Sequence, residues 1–143
     1  MTVGILLKHK SGSLVTIAPD ATLSQAVASL AEHRIGAIVA IDDGGHLAGI
    51  LSERDVVRIL AEKGPDVLSD PVSSVMTRAV VTCTEDESIP VIMERMTRGR
   101  FRHVPVVERG RLIGIISIGD VVKHRVEEME RESAELRDYI MTA

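Results

Sequence analysis

The chain has 143 residues, a formal net charge of −4, one cysteine, one phenylalanine, one tyrosine and no tryptophan. That length fits one domain and is too short for an eight-stranded barrel enzyme, and 45% apolar residues can build a packed core, which excludes wholesale disorder. A lone Cys83 excludes a disulfide framework or a cysteine-rich zinc site, and apolar runs such as Ile35–Ile41 fall far short of the roughly 20 residues of a membrane span.

In chain order, Met1–Leu7 is a short apolar stretch followed by Lys8 and Lys10, the wrong order for a secretory leader, so a cytoplasmic protein is expected. A short strand is predicted at Val15–Ile17. Thr22 and Gln25 form a Ser/Thr-x-x-Gln capping box, and Leu23, Ala26, Val27, Leu30 and Ala31 follow at amphipathic-helix spacing. Ala37–Ile41 reads as a continuous apolar strand, Asp42–Gly45 as a hairpin turn and Leu47–Leu51 as the return strand. Ser52 caps a second helix that runs to about Lys63 and is ended by Gly64-Pro65. Residues 66–77 read as a linker with a helical turn near Val72–Met76. Beyond it come a strand at Val80–Thr82, a helix at Ile89–Met96 with Pro90 in its first turn, strands at Val104–Val107 and Leu112–Ile116, and a helix from Ile118.

The second half repeats the first. Val15-Thr16-Ile17 returns as Val81-Thr82-Cys83 at an offset of 66, and Gly49-Ile50-Leu51-Ser52-Glu53-Arg54-Asp55 returns as Gly114-Ile115-Ile116-Ser117-Ile118-Gly119-Asp120 at an offset of 65. The lost residue falls in the hairpin turn, where indels are tolerated. Each β-α-β-β-α copy is too small to hold much of a core, so the two are expected to stack sheet to sheet over a common one as a single pseudo-two-fold α/β module. The expected organisation is residues 1–65 as first copy with an N-terminal segment, 66–77 as linker, 78–126 as second copy and 127–143 as an extended helical tail.

Charge is uneven. Residues 95–111 hold six arginines against Glu108 alone, whereas residues 126–138 hold six acids against two arginines. An acidic chain with one arginine cluster and two aromatics does not suit general nucleic-acid binding, but guanidinium groups match phosphate oxygens.

The doubled Gly-apolar-x-Ser-x-x-Asp signature, with Arg102-His103-Val104-Pro105-Val106 before it in the second copy, resembles a pair of cystathionine-β-synthase (CBS) domains over about Val15 to Val126. The chain is similar to stand-alone bacterial two-CBS proteins. The resemblance implies a regulatory, non-catalytic module that binds AMP, NAD, ADP, ATP or S-adenosylmethionine in clefts between the copies and forms homodimers. It implies ribose contacts from Asp55 and Asp120, base contacts from Thr16, Ile17, Thr82 and Cys83, and adenine-edge contacts from Ala37, Ile38, Val104 and Pro105. Arg102 and His103 would face phosphate.

The residues support part of this independently. Ser52 and Ser117 stand at strand-to-helix junctions, where free N–H groups and a partial positive charge seat an anion. Each Ser-x-x-Asp is equally a plain capping box, and the two roles are compatible. Arg54 could reach phosphate, yet its counterpart is Gly119, and Arg102-His103 align with Gly36-Ala37, so the two clefts are expected to differ. A metal is not expected: His103 has no second ligand at suitable spacing. A nucleotide phosphohydrolase and a ligand-free adaptor are the competing readings, and the regulated partner is not legible. In the tail, Val122, Val126, Met129, Ser133, Leu136 and Ile140 form a heptad-like stripe. Because Glu127, Glu128, Glu130 and Glu132 flank it, tails of two chains are expected to pair antiparallel or to pack on the partner's surface near Arg95–Arg102.

Overall fold

Hydrogen-bond chemistry written into the sequence starts the first copy. The Thr22 hydroxyl accepts the Gln25 N–H (3.2 Å) while the Gln25 side chain accepts the Thr22 N–H (2.9 Å), so two otherwise orphaned amides are satisfied at one helix start. In the computed structural model, which describes residues 1–10 and 14–142, the elements are α1 (Val3–His9), β1 (Thr16–Ile17), α2 (Leu23–His33), β2 (Ala37–Ile41), β3 (Leu47–Ser52), α3 (Glu53–Lys63), 3-10 turns at Pro65–Ser69 and Val72–Ser74, α4 (Ile89–Gly99), β4 (His103–Glu108), β5 (Arg111–Ser117) and α5 (Ile118–Thr142). The fold is the expected mixed α/β pair of copies with a long C-terminal helix.

The sheets repeat in register. β1 runs parallel to β2, with Ile17 opposite Ala40, and β2 pairs antiparallel with β3. In the second copy β4 pairs antiparallel with β5, and Cys83 stands opposite Val106 in a parallel bridge. The strand expected at Val80–Thr82 is therefore reduced to that bridge, made by the Cys83 N–H to the Pro105 carbonyl (3.0 Å) and the Val107 N–H to the Cys83 carbonyl (2.9 Å). Both hairpins carry a register shift at the same place, Ala40/Ile41 and Val106/Val107. The second turn is one residue shorter because Arg109 and Gly110 both take positive φ (52° and 78°), the backbone of a two-residue hairpin turn.

The common core expected between the copies is replaced by two clusters. One holds Leu23, Ala26, Leu30, Ile38, Leu51, Val56 and Ile59 together with Val67, Val72 and Met76 of the linker. The other holds Cys83, Ile89, Ile92, Met96, Val104, Val106, Ile116 and Val121 together with Val3 and Leu6 of α1. The linker is thus packed structure, and the N-terminal segment, grouped by sequence with the first copy, completes the second.

The two inserted segments are equivalent at an offset of 69. The Leu23 N–H donates to the Asp70 carbonyl (2.9 Å) as the Ile89 N–H donates to that of Met1 (3.1 Å). Val72 donates to Ala21 (2.7 Å) as Val3 does to Glu87 (2.9 Å), and Ser73 to Pro19 (2.9 Å) as Gly4 does to Glu85 (2.9 Å). Each copy is therefore covered by the segment that precedes the other. The physical reason is the one that led to the shared-core expectation: a unit this small cannot cover its own apolar face.

Gly49 and Gly114 mark the closest approach. A Cβ at Gly49 would stand 2.6 Å from Met76 Sδ and 2.8 Å from the Thr77 carbonyl oxygen, and one at Gly114 2.8 Å from Leu7 Cδ2. Gly49→Ala is expected to destabilise the fold by about 1–3 kcal/mol, as overpacked cores do. Gly114→Ala is expected to cost less, since the Leu7 side chain can rotate away and a backbone oxygen cannot. Urea denaturation of the two variants measures the difference; equal effects would contradict this account.

Candidate functional site

Two strand-to-helix junctions have the same geometry. The Ser52 hydroxyl accepts the Asp55 N–H (3.1 Å) and Asp55 Oδ2 accepts the Ser52 N–H (3.0 Å). The Ser117 hydroxyl accepts the Asp120 N–H (3.1 Å) and Asp120 Oδ2 accepts the Ser117 N–H (2.9 Å). Each junction is tied back to the strand opposite: Glu53 N–H donates to the Gly36 carbonyl (2.9 Å), Ile118 N–H to that of Arg102 (2.8 Å). Both Ser-x-x-Asp motifs are capping boxes, and each cap uses only Oδ2. The remaining oxygen, Oδ1, leaves each aspartate a second acceptor.

A cleft of about 810 Å³ opens between the copies. The first copy contributes Gly36, Ile50, Ser52, Glu53, Arg54, Asp55, Val57 and Arg58, the end of the linker Thr77, and the second copy Ala79, Val80, Val81, Arg100, Phe101, Arg102, His103, Ser117, Ile118 and Gly119. Four arginines thus face two carboxylates around a partly apolar wall. Arg58 approaches Asp55 Oδ1 at 3.3 Å. Arg100 sits at the C-terminus of α4 with φ 57°, and Arg34 ends α2 with φ 53°. A left-handed conformation is strained for a side chain of this kind and is commonest for glycine.

The two copies meet at Gly36 and His103: a Cβ at Gly36 would stand 3.2 Å from His103 Nε2. Copy one therefore has a glycine where copy two has Arg102, and the space is taken by the partly buried imidazole. Burial, then the Lys10 cation, holds the His103 pKa below its ordinary value, against the pull of Asp120 and Glu53 and with a further push from Arg102. The folded state resists a proton that the unfolded chain accepts near pH 6.5. Stability is therefore expected to fall as pH drops from about 7 through that value, and His103→Gln to flatten the decline. Thermal midpoints of parent and variant between pH 7.5 and 5 decide this; parallel curves would exclude His103 as the cause.

The other aspartate is already engaged. Lys10 Nζ lies 2.9 Å from Asp120 Oδ2 and donates to the Ile115 carbonyl (2.7 Å). Burial opposes the charge on Asp120, but the Ser117 amide and the Lys10 ammonium outweigh it and keep its carboxyl below the usual range. At the 69-residue offset Lys10 corresponds to Ala79, and the cation beside Asp55 is instead Arg58 of α3.

Of the sequence-derived site residues, the structure brings Ser52, Arg54, Asp55, Arg102, His103 and Ser117 into this cleft. It does not bring in the others. Ala37, Ile38, Cys83, Val104 and Pro105 are buried in the strands behind it, and Thr16, Ile17, Thr82 and Asp120 are partly buried outside its lining. The segment leading into Thr16 includes residues 11–13, which lie outside the described residues. Burial pushes the Cys83 thiol up to about 11, with the Glu87 carboxylate adding to the shift, which suits a core thiol and not a nucleophile. Sequence reading missed Arg58, Phe101, Thr77 and Ala79–Val81, and gave Arg100 only as one of six clustered arginines suited to phosphate. Arg58 was findable, one turn beyond Arg54 on α3; Thr77 and Ala79–Val81 arrive only through the fold. The arginine cluster divides: Arg95 and Arg98 pair with Glu87 and Glu94, Arg109 and Arg111 lie at the β4–β5 turn, and only Arg100 and Arg102 face the cleft. Among the described residues there is no group of three or more His, Cys, Asp or Glu side chains that could hold a metal ion, and no helix is long and apolar enough to cross a membrane.

Comparison with known proteins matches this architecture. The sequence model of the CBS domain matches residues 10–62 and 72–127. The solved structure of the CBS-domain protein ATU1752 from Agrobacterium tumefaciens is 48% identical, superposes with a TM-score of 0.83 and is matched over 87% of this chain and 92% of its own. The mitochondrial CBS domain-containing protein CBSX3 of Arabidopsis thaliana is 36% identical over 93% of this chain, which spans 66% of that protein's length. The CBS domain protein PAE2072 from Pyrobaculum aerophilum, solved in complex with AMP, is 26% identical with a TM-score of 0.79, over 93% of this chain and 99% of its own.

Proposed function

This chain belongs to the CBS-domain family, as a tandem pair, and from that premise we propose that it is a regulatory module that binds an adenine nucleotide in the cleft between its two copies. The observation that carries the reading is the make-up of that cleft: one apolar wall, the N-terminus of α3 with Ser52 and Asp55, the N-terminus of α5 with Ser117, and four guanidinium groups. Ile50, Val80, Val81 and Phe101 suit a purine. Asp55 accepts from ribose hydroxyls through Oδ1, with Arg58 turning aside. The amide end of α3 and Arg54, Arg100 and Arg102 receive phosphate. AMP is the first candidate, in keeping with the AMP bound by PAE2072. NAD is second, and ADP, ATP and S-adenosylmethionine share the adenosyl part.

The proposed role is binding rather than turnover, because Asp55 and Ser52 are tied to each other in the cap of α3 and the guanidinium groups around them suit an anion that is held. Energy or redox sensing by a cytoplasmic homodimer, passed to a protein partner, completes the proposal. AMP is expected to raise the thermal midpoint by mass action, equivalent to about 2.7 kcal/mol at 100 times Kd. Thermal shift and calorimetry across adenine nucleotides, with mass spectrometry of nucleotide carried through purification, test this. Absence of both a shift and binding heat at millimolar nucleotide would reject it, and turnover of ATP with magnesium would favour the phosphohydrolase.

A further inference from the structure

We propose that residues 122–140 of two chains pair as a parallel, in-register, two-stranded coiled coil, a geometry that goes beyond the homodimer of the proposed function and rests on it. Along α5, the side facing the rest of the molecule carries Val121, His124 and Glu128, the first buried and the other two partly so. The stripe of Val122, Val126, Met129, Ser133, Leu136 and Ile140 lies on the opposite side, and its apolar members are 47–65% exposed. From Met129 to Thr142 every residue is exposed, and all of that stretch lies beyond residue 127, where the CBS match ends. A lone projecting helix of that length is marginal in water. Because the stripe faces away from the folded body, a second helix can reach it from the solvent side.

Heptad position selects the occupant. With Val126, Ser133 and Ile140 at the first core position and Val122, Met129 and Leu136 at the fourth, the first position carries two β-branched residues and the fourth carries Met and Leu. That combination favours two parallel strands, with one polar core residue to fix the register. The flanking charges agree. In a parallel in-register pair Arg125 meets Glu130 of the second copy and Glu132 meets its Arg137, so all four contacts across the two-fold are attractive. In the single chain Arg125 pairs only within its own helix, to Glu128 at 3.1 Å. The sequence expectation of repulsion counted Glu127 and Glu128 among the flanks, but helical geometry places them on the outer side. The surface near Arg95–Arg102 is no substitute, since Arg95 and Arg98 are already paired with acids.

The test uses the whole 143-residue chain. Ser133→Cys and Leu136→Cys each place like against like in the parallel pair, whereas antiparallel helices set Ser133 against Met129 or Leu136. Mild oxidation is expected to give a covalent dimer for both variants and none for the parent, whose Cys83 is buried. Glu130→Arg with Glu132→Arg is expected to shift light-scattering mass toward the monomer at micromolar concentration. Adding Arg125→Glu and Arg137→Glu, which restores every pair with signs exchanged, is expected to recover the dimer. A monomeric parent would overturn both the homodimer and the coiled coil. A dimeric parent whose two cysteine variants fail to cross-link would overturn the coiled coil alone.

Discussion

A chain lacking residues 1–9 is expected to lose the order of its second half, although all of that half's own sequence is retained. Val3 is fully buried and Leu6 is 5% exposed in the cluster around Ile92 and Val104. Each such side chain contributes about 1.5–3 kcal/mol by burial. The truncation also removes the hydrogen bonds from Val3 to Glu87, from Gly4 to Glu85 and from Ile89 to Met1. The sum is comparable with the whole stability of a small domain, about 5–15 kcal/mol. Cys83 is a built-in probe, because it is the only cysteine and lies buried in the affected cluster. Its thiol is expected to resist labelling in the parent at neutral pH and to react rapidly in the truncated chain. Leu6→Ala should give an intermediate rate. If the truncated chain keeps both its thermal midpoint and its thiol protection, α1 is an ornament on the second half.

The second large effect concerns binding. Asp55→Asn keeps an oxygen to accept the Ser52 N–H and removes the charge offered to ribose, so the helix start survives while affinity falls. Charge-assisted hydrogen bonds contribute about 1.5–3 kcal/mol, roughly a tenfold to a hundredfold loss in Kd for AMP by calorimetry. Asp120→Asn is expected to leave that affinity near the parent's, since Asp120 lies outside the cleft lining and already holds Lys10. Lys10→Ala should free Asp120 and, if a second nucleotide binds, raise the stoichiometry. Equal losses for Asp55→Asn and Asp120→Asn would show that both aspartates serve one ligand, and no loss for either would leave them as helix caps.

The legible part of this protein was local and repeated. Capping residues, apolar alternation and the doubled Ser-x-x-Asp fixed the positions of α2, β2, β3, α3, β4 and β5 to within a residue or two. Of the exchanged segments only the turn near Val72 was legible; the helix in Met1–Lys10 and the packing of both segments were not, because stretches of two turns or fewer carry too little periodicity. Their signal is the match of Val3 with Val72 and of Leu7 with Met76, visible only at an offset of 69 while the rest of the repeat runs at 65 or 66. Half of the cleft was legible for the same reason: Ser52, Arg54, Asp55, Arg102 and His103 lie in or beside the motif. Arg100, Phe101 and Val80 join them through tertiary packing, which no spacing along the chain encodes.

The reciprocal cover of the two halves also sets an order of events during synthesis. The first half is complete once residue 77 has been made, since its borrowed cover lies directly after it. Residues 1–9 are made before any of the segment they pack on, and Met1 waits for Ile89. Loop closure over that separation is slow compared with local helix formation. Val3, Leu6 and Leu7, made before the first half, therefore find their places after it. Until then the growing chain carries a short uncovered hydrophobic segment of the kind a holding chaperone occupies.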